Sequence, residues 1–348
     1  MKVGIIGCGL IGQKRAAALS SDDVVSAVTD VVAERAQALA QRTKARVLAD
    51  AAALVADASV DAVVIATTHN QLAGIARLAI EHGKHVLLEK PGARRASELD
   101  ALAQLARAKG VCVHVGFNHR YHPAMQKAHE LIRAGELGPL FYMRGRYGHG
   151  GRPGYDREWR AKPEISGGGE LLDQGAHLID LAGWYFDAGV GPGAGASRFT
   201  KVHGAIATYF WNMPVEDNAF LTLTTDSGMI AQLQVTWTEW KNMFCLEIVG
   251  RDAKLQIDGL GGSYGTERLA FYKMRPEMGP PDTTIWEYPG ADTSWALQWQ
   301  AFRRDVEGGA KQTAPSIEST QQVLSVIEQV YVQNQVPWVE AQARGGTP

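Results

Sequence analysis

The chain opens on a strand, a glycine turn and a helix, Met1-Lys-Val-Gly-Ile-Ile-Gly-Cys-Gly-Leu-Ile-Gly12, and few features restrict a fold more. Val3–Ile6 is a short apolar run of strand type, Gly7, Gly9 and Gly12 form G-x-G-x-x-G, and the alanine-rich stretch Gln13–Leu19 has helical character. Each glycine has its own physical reason. Gly7 allows the tight corner, Gly9 lets a pyrophosphate approach the backbone, and Gly12 lets the helix pack close to the strand. With Leu10 and Ile11 they form a turn whose unpaired N–H groups, at a helix N-terminus, suit a diphosphate. Asp30 ends the strand-like run Val24–Thr29. An acid there can accept hydrogen bonds from both hydroxyls of an adenosine ribose and repels a 2′-phosphate. Val31, Val32, Ala33 and Glu34 supply no arginine, so NAD is favoured over NADP.

At 348 residues there is room for two domains with their own cores. A formal net charge of −2 suggests no polyanion partner, so no nucleic acid is expected. Cys8, Cys112 and Cys245 lie far apart with no C-x-x-C pair. That spacing argues against a disulfide framework and a zinc site; no metal is expected, and a cytoplasmic, reducing compartment is. Ile5-Ile-Gly-Cys8 resembles a lipoprotein cleavage box, but the apolar run before it falls short of the roughly 7–15 residues of a secretory segment. No run approaches the ~18 apolar residues of a membrane span either.

From residue 1 to 120 strand and helix alternate. Val3–Ile6, Val24–Thr29, Arg46–Ala49, Ala62–Ala66, His85–Leu88 and Val111–Phe117 are short and mostly apolar throughout, as in strands covered on both faces. Helical stretches such as Ala33–Gln41, Leu72–His82 and Ala96–Ala108 separate them, the last two stopping near Gly83 and Gly110. The pattern predicts an α/β Rossmann domain, a doubly wound parallel sheet. Beyond Tyr121 the period changes. A helix at Pro123–Ala134, a strand at Phe141–Tyr147 and a helix near Glu170–Phe186 precede alternating runs at Lys201–Trp211, Ala219–Thr225, Ile230–Thr238, Cys245–Gly250, Lys254–Asp258 and Arg268–Lys273. Short links such as Asp226-Ser-Gly228 suit hairpins, so residues 121–335 read as an α+β domain with a large, mostly antiparallel sheet. Ser294–Glu307 and Ser316–Gln333 are closing helices expected to pack back on the first domain. Asp187–Ser197 reads as a loose connection and residues 340–348 as a tail.

In a doubly wound sheet the loops after the strands form the binding rim. Three successive strand ends deliver polar groups there: Thr67-Thr68-His69-Asn70, Glu89-Lys90-Pro91, and Asn118-His119-Arg120-Tyr121. Lys90, near a cationic nicotinamide, could orient a hydroxyl, share in proton transfer or stabilise an alkoxide. Pro91 fixes the turn, in either peptide isomer. In Gly167-Gly-Gly-Glu-Leu-Leu-Asp-Gln-Gly-Ala-His177, Asp173 and His177 are four apart and on an α-helix would share a face. A neutral imidazole can take the proton of an alcohol as hydride leaves its carbon, with Asp173 on the substrate or holding the imidazole. Asp180 would cap or pair. Gly167–Gly169 would let backbone pass close to a cofactor.

Gly7–Gly12, Asp30, Ala66-Thr67, Gly83-Lys-His-Val-Leu-Leu-Glu-Lys-Pro91, Gly116-Phe-Asn118 and Gly167-Gly-Gly…Asp173…His177 together resemble the glucose–fructose oxidoreductase / inositol dehydrogenase / rhizopine catabolism (Gfo/Idh/MocA) family, in order and over nearly the whole chain. The resemblance implies a nicotinamide-dependent oxidoreductase for sugars, polyols or their derivatives, with Lys90 and His177 catalytic, Asp173 on substrate, and Thr67, Thr68, His69, Glu89, Lys90 and Asn118 beside the cofactor. Where such chains often have Ala-Thr-Pro-Asn-x-x-His, this one has Ala66-Thr-Thr-His-Asn-Gln-Leu72. The last histidine is lost, with His69 or Asn70 as replacements, and Asp187–Ser197 looks like an added loop.

Arg144 and Arg146 share one strand face, and Arg152, Arg157 and Arg160 follow in the loop after it. Guanidinium groups suit bidentate phosphate recognition, which raises an anionic substrate such as a nucleotide sugar, with Arg120, Tyr121, Arg152, Trp159 and Arg160 as contacts. These arginines suit a sheet surface or a subunit contact equally well. Trp237, Trp240 and Tyr209 could stack on sugar rings or bury a homodimer or homotetramer interface on the antiparallel sheet. The function expected is NAD-dependent oxidation of a ring hydroxyl of a small carbohydrate. The rivals are a glycosidase running NAD through a closed oxidation–elimination–reduction cycle, and a non-catalytic ligand sensor.

Overall fold

A computed structural model describes residues 1–190, 197–309 and 315–338. They fall into two compact units, Met1–Asn118 with Trp295–Gln321, and His119–Ser294 with the chain from Gln322 on. The tail at 340–348 and most of the Asp187–Ser197 connection lie outside the described residues; Asp187–Gly189 are still helical.

In the first unit the strands are β1 (Lys2–Ile6), β2 (Val24–Thr29), β3 (Arg46–Val47), β4 (Ala62–Ile65), β5 (His85–Leu88) and β6 (Val113–Val115). The helices between them are α1 (Leu10–Ala17), α2 (Ala33–Thr43), α3 (Ala51–Ala56), α4 (His69–Glu81) and α5 (Ala96–Lys109). The sheet is parallel, in the order β3-β2-β1-β4-β5-β6. The order reverses between β1 and β4, and in open α/β sheets that switch point is where ligands bind. Val3, Ile5, Val28, Val64 and Leu87 are buried in one core. Strand β3 is shorter than its apolar run predicts, and α3, held by an Asp50 side-chain cap on Ala53, has too short a signal to read from sequence.

The second unit holds α6 (Pro123–Arg133), β7 (Leu140–Gly148), the one-turn α7 (Pro163–Ser166), a π-helical segment Leu171–Gly175 and α8 (Ala176–Gly189). Seven strands follow: β8 (Phe199–Ala207), β9 (Asn218–Thr225), β10 (Ile230–Thr236), β11 (Met243–Gly250), β12 (Ala253–Asp258), β13 (Glu267–Lys273) and β14 (Asp282–Tyr288). Together with β7 they form one sheet, β14-β13-β12-β11-β7-β10-β9-β8, antiparallel except for the parallel pair β7 and β10. The polar, largely exposed edge strand β14 carries no alternating apolar signal, so the sequence reading misses it.

The closing helices divide. In α9 (Ser294–Glu307), Trp299 and Phe302 are buried in the core of the first unit, and the Trp299 indole donates to Asp23 at 2.7 Å. Helix α10 (Ile317–Gln333) crosses from one unit to the other after Gln321, so most of it belongs with the second. Among the described residues no helix is long and apolar enough to cross a membrane.

Candidate active site

The first unit carries the turn expected to hold a dinucleotide. Gly7 has φ +93°, and a Cβ there would meet the Ala66 carbonyl oxygen at 2.4 Å. Only glycine fits where β1 turns against the end of β4. A Cβ on Gly12 would stand 1.9 Å from the Gly7 oxygen, whereas one on Gly9 would meet nothing within 4 Å. Gly9 therefore leaves open the space at the start of α1 that a pyrophosphate needs, beside exposed Leu10 and half-buried Ile11. The Asp30 carboxylate is fixed from two sides, taking the Cys8 N–H at 2.6 Å and the Val32 N–H at 2.8 Å. These residues fit the adenosine diphosphate half of NAD.

The other rim residues have different fates. Thr67 and Thr68 are half-buried, and Thr68 donates to Asn70 at 2.8 Å where α4 begins. His69 is buried at the first position of α4, and Leu72 is fully buried core. Lys90 is half-buried, and its peptide bond to Pro91 is cis. Asn118 is buried at the end of the unit. Glu89, expected beside the cofactor, is engaged within the fold. Its carboxylate forms a buried ion pair with Arg15 at 2.5 Å, while Arg15 also donates to Gln298 at 2.8 Å and lies over the Trp295 ring. A Cβ on Gly116 would sit 2.8 Å from the Glu89 oxygen, so the pair also explains that glycine.

Cys112, His114 and Asp305 form a buried group whose ligand-type atoms lie within 4.8 Å of one another. His114 Nε2 and Asp305 Oδ2 are 2.7 Å apart, the separation of a direct hydrogen bond rather than of two groups around one ion. Burial pushes the Cys112 thiol up to about 12, so it is protonated at neutral pH.

The second unit carries the candidate acid–base groups. His177, buried on α8, stacks on His119 with ring centroids 3.7 Å apart. His119 leans on Tyr147 of β7 at 5.3 Å. Burial pushes the Tyr147 hydroxyl well above its usual range, and Tyr264, hydrogen-bonded to it, also takes a bond from Gln174 at 3.3 Å. Asp173 sits inside the π-helical segment, so the simple four-residue α-helical face does not describe how it relates to His177. Its carboxylate accepts from Arg160 Nε at 3.1 Å. Burial opposes the Arg160 charge, but Asp173, Tyr155 and Glu158 outweigh it and hold the pKa above the usual arginine value. Burial lowers the pKa of His149, with Asp173 partly opposing.

Several expected contacts resolve differently. Arg120 is buried in a bidentate pair with Asp180, at 2.7 and 2.5 Å, so its guanidinium is engaged in the fold; Asp180 pairs, as one of its two expected roles required. Tyr121 is buried beside it in the chain. Arg152 is exposed and paired with Glu158, and half-buried Trp159 carries the Arg160 guanidinium over its ring. Arg144 and Arg146 lie on the outward face of β7, with Arg144 paired to Glu247 at 3.0 Å. Tyr147, on the opposite face, is the residue of that strand that joins His119. Trp237 is fully buried among Tyr155, Met213 and Val215, leaving Tyr209 and Trp240 as the exposed aromatic groups of that set. His119 stands in the third rim segment with no sign there of its stack on His177, while Tyr147, on β7, and Tyr264, in the link between β12 and β13, are brought in from distant parts of the chain.

Comparison with known proteins gives the family and the fold. Residues 1–117 match the model of an oxidoreductase family with an NAD-binding Rossmann fold, and residues 125–256 match the GFO/IDH/MocA C-terminal domain. A levoglucosan dehydrogenase of Pseudarthrobacter phenanthrenivorans is 28% identical over 66% of this chain and 59% of its own. The NAD(+)-dependent scyllo-inositol 2-dehydrogenase of Bacillus subtilis is 25% identical over 75% of this chain and 72% of its own. The chain thus spans less than two thirds of the levoglucosan enzyme's length. Among solved structures, GenD2 from gentamicin A biosynthesis, in complex with NAD, superposes with a TM-score of 0.80 at 25% identity, covering 96% of this chain and 94% of that one.

Proposed function

Because the chain belongs to the Gfo/Idh/MocA oxidoreductase family, we propose that it is an NAD-dependent dehydrogenase oxidising a ring hydroxyl of a sugar, nucleotide sugar or polyol. The observation that carries this reading is the unequal crowding at Gly7, Gly9 and Gly12, which closes the turn around two of them and leaves the third open. Bound NAD supplies the hydride acceptor. His177 takes the hydroxyl proton, Asp173, held by Arg160, accepts a hydrogen bond from the substrate, and Lys90 stabilises the developing alkoxide. Relatives named for levoglucosan and scyllo-inositol support a polyhydroxylated ring as substrate. The exposed apolar side chains Phe220 and Ile230 on the outward sheet face support a homo-oligomer formed through that sheet.

The test is a screen for NADH formation over free and nucleotide-linked sugars and inositols. Net NADH accumulating with at least one of them supports the reading. Glycoside cleavage without net NADH would convert it to the redox-cycling glycosidase, and no turnover of any member would overturn it.

A further inference from the structure

The run Gly167–Gly169 has a closer neighbour than a cofactor. A Cβ on Gly168 would stand 2.0 Å from the Tyr331 hydroxyl oxygen, and one on Gly169 would stand 2.0 Å from the Glu216 carbonyl oxygen. Both glycines are needed for contact with two buried residues of the same unit. Glu216 uses that closeness. Its Oε1 accepts the N–H of Gly169 at 3.0 Å and of Leu171 at 3.1 Å, and its main-chain oxygen accepts the N–H of Glu170 at 3.0 Å. The Tyr331 hydroxyl donates to the same Oε1 at 2.8 Å. Helix starts leave their first N–H groups without intrahelical partners, and here one residue answers three in succession.

Glu216 is itself firmly placed. The next residue, Asp217, receives the N–H groups of Tyr209, Phe210 and Trp211 at 2.9 to 3.0 Å, and its own N–H and C=O are bonded to Ala207 and Trp237. The preceding Val215 is fully buried. On the other side the clip leads straight to the proposed site. The Asp173 N–H bonds the Gly169 oxygen at 3.0 Å, and the π-helical segment joins that turn to His177. A π turn carries one residue more than an α turn, is rare overall, and frequently occurs at functional sites. If it relaxed to α, one end would rotate against the other by about a hundred degrees, one residue's share of a 3.6-residue turn.

We infer that Glu216, braced by Tyr331, is a positioning residue that holds the π-helical turn so that Asp173 and His177 keep their mutual orientation. The inference rests on the roles proposed above for those two residues. The test compares native enzyme, Glu216→Ala, Glu216→Gln, Tyr331→Phe and His177→Ala on a substrate found in the screen. A native rate that His177→Ala abolishes settles the proposed function first, independently of Glu216. Glu216→Ala is then expected to lower kcat ten- to a hundredfold with NAD affinity within twofold, Gln to recover most of the loss because its amide oxygen still accepts, and Tyr331→Phe to fall between. Hydrogen exchange of residues 168–175 gives a readout independent of substrate, with faster exchange expected in Glu216→Ala and protection restored in Gln. Unchanged exchange in both Glu216→Ala and Tyr331→Phe would overturn the inference, as would native kcat in both. Should Glu216→Ala fail to fold, Tyr331→Phe, which removes one hydroxyl, decides by the same two readouts.

Discussion

The imidazole of His177 lies nearly flat on that of His119, with ring centroids 3.7 Å apart and planes inclined by 19°. A ring so placed cannot swing without displacing its neighbour, which in turn is wedged against Tyr147 and Phe244. The stack thus orients the proposed base with two aromatic layers and needs no sequence neighbour to do it.

Removing the ring proposed to move the proton should differ from removing the ring beneath it. His177→Ala is expected to lose about 10²–10⁴ in turnover while NAD affinity stays within about twofold. His119→Ala should lose no more than about tenfold, since aromatic pairs contribute roughly 1 kcal/mol, and His119→Phe should restore most of it. Steady-state kinetics with NAD titration checks both; equal losses in the two alanine variants would contradict the division of roles.

Arg15 and Glu89 are predicted to matter for folding. Truncating one partner of a buried pair strands the other's charge, at about 3–5 kcal/mol. Arg15→Ala and Glu89→Ala should each lower stability by that order in urea unfolding, and a paired Arg15→Met, Glu89→Leu change should recover part of it. A Glu89→Ala protein of native stability with weakened NAD binding would return Glu89 to the cofactor.

Asp30 is held with its carboxylate fixed by two backbone amides, which leaves its orientation set before any ribose arrives. Hydrogen bonds to charged groups contribute about 1.5–3 kcal/mol. Asp30→Ser is therefore expected to weaken NAD at least about tenfold, with much less effect on NADP, measured by fluorescence titration of both.

Glu216 makes stability depend on pH. Burial pushes its carboxyl up to about 7, with Tyr331 and the Leu171 and Gly169 amides opposing. The folded chain thus binds this proton where the unfolded chain has released it. Stability from this group is full below the ordinary carboxyl range, near 4.5, and is lost as pH rises towards 7. The total is on the order of 3 kcal/mol. Urea unfolding across that window should show native stability falling relative to Glu216→Gln; a parallel pair of curves would contradict it.

Much of the first unit was legible because parallel strands buried on both faces must be apolar throughout, and because a turn against a diphosphate admits little but glycine. Gly7, Gly9, Gly12 and Asp30 act within one local βαβ stretch, so their spacing alone expresses the constraint. The ion pair of Glu89 is hidden for the same reason: beside Lys90 it looks like a rim residue, and its partner Arg15 lies 74 positions away. Arg144 and Tyr147 show the limit in the sheet, where alternation separates faces without saying which one meets His119.

What the sequence determined by itself is the pair of architectures, the nucleotide-binding turn and the residue types able to move a proton. Tertiary structure alone decided that His119 supports His177, that Arg160 holds Asp173, that Arg120 is engaged by Asp180, and that Gly168 and Gly169 make way for Tyr331 and Glu216. The reason is physical: backbone pattern follows from interactions a few residues apart, whereas side-chain partners are chosen by packing between segments whose distance along the chain leaves no trace in either sequence neighbourhood.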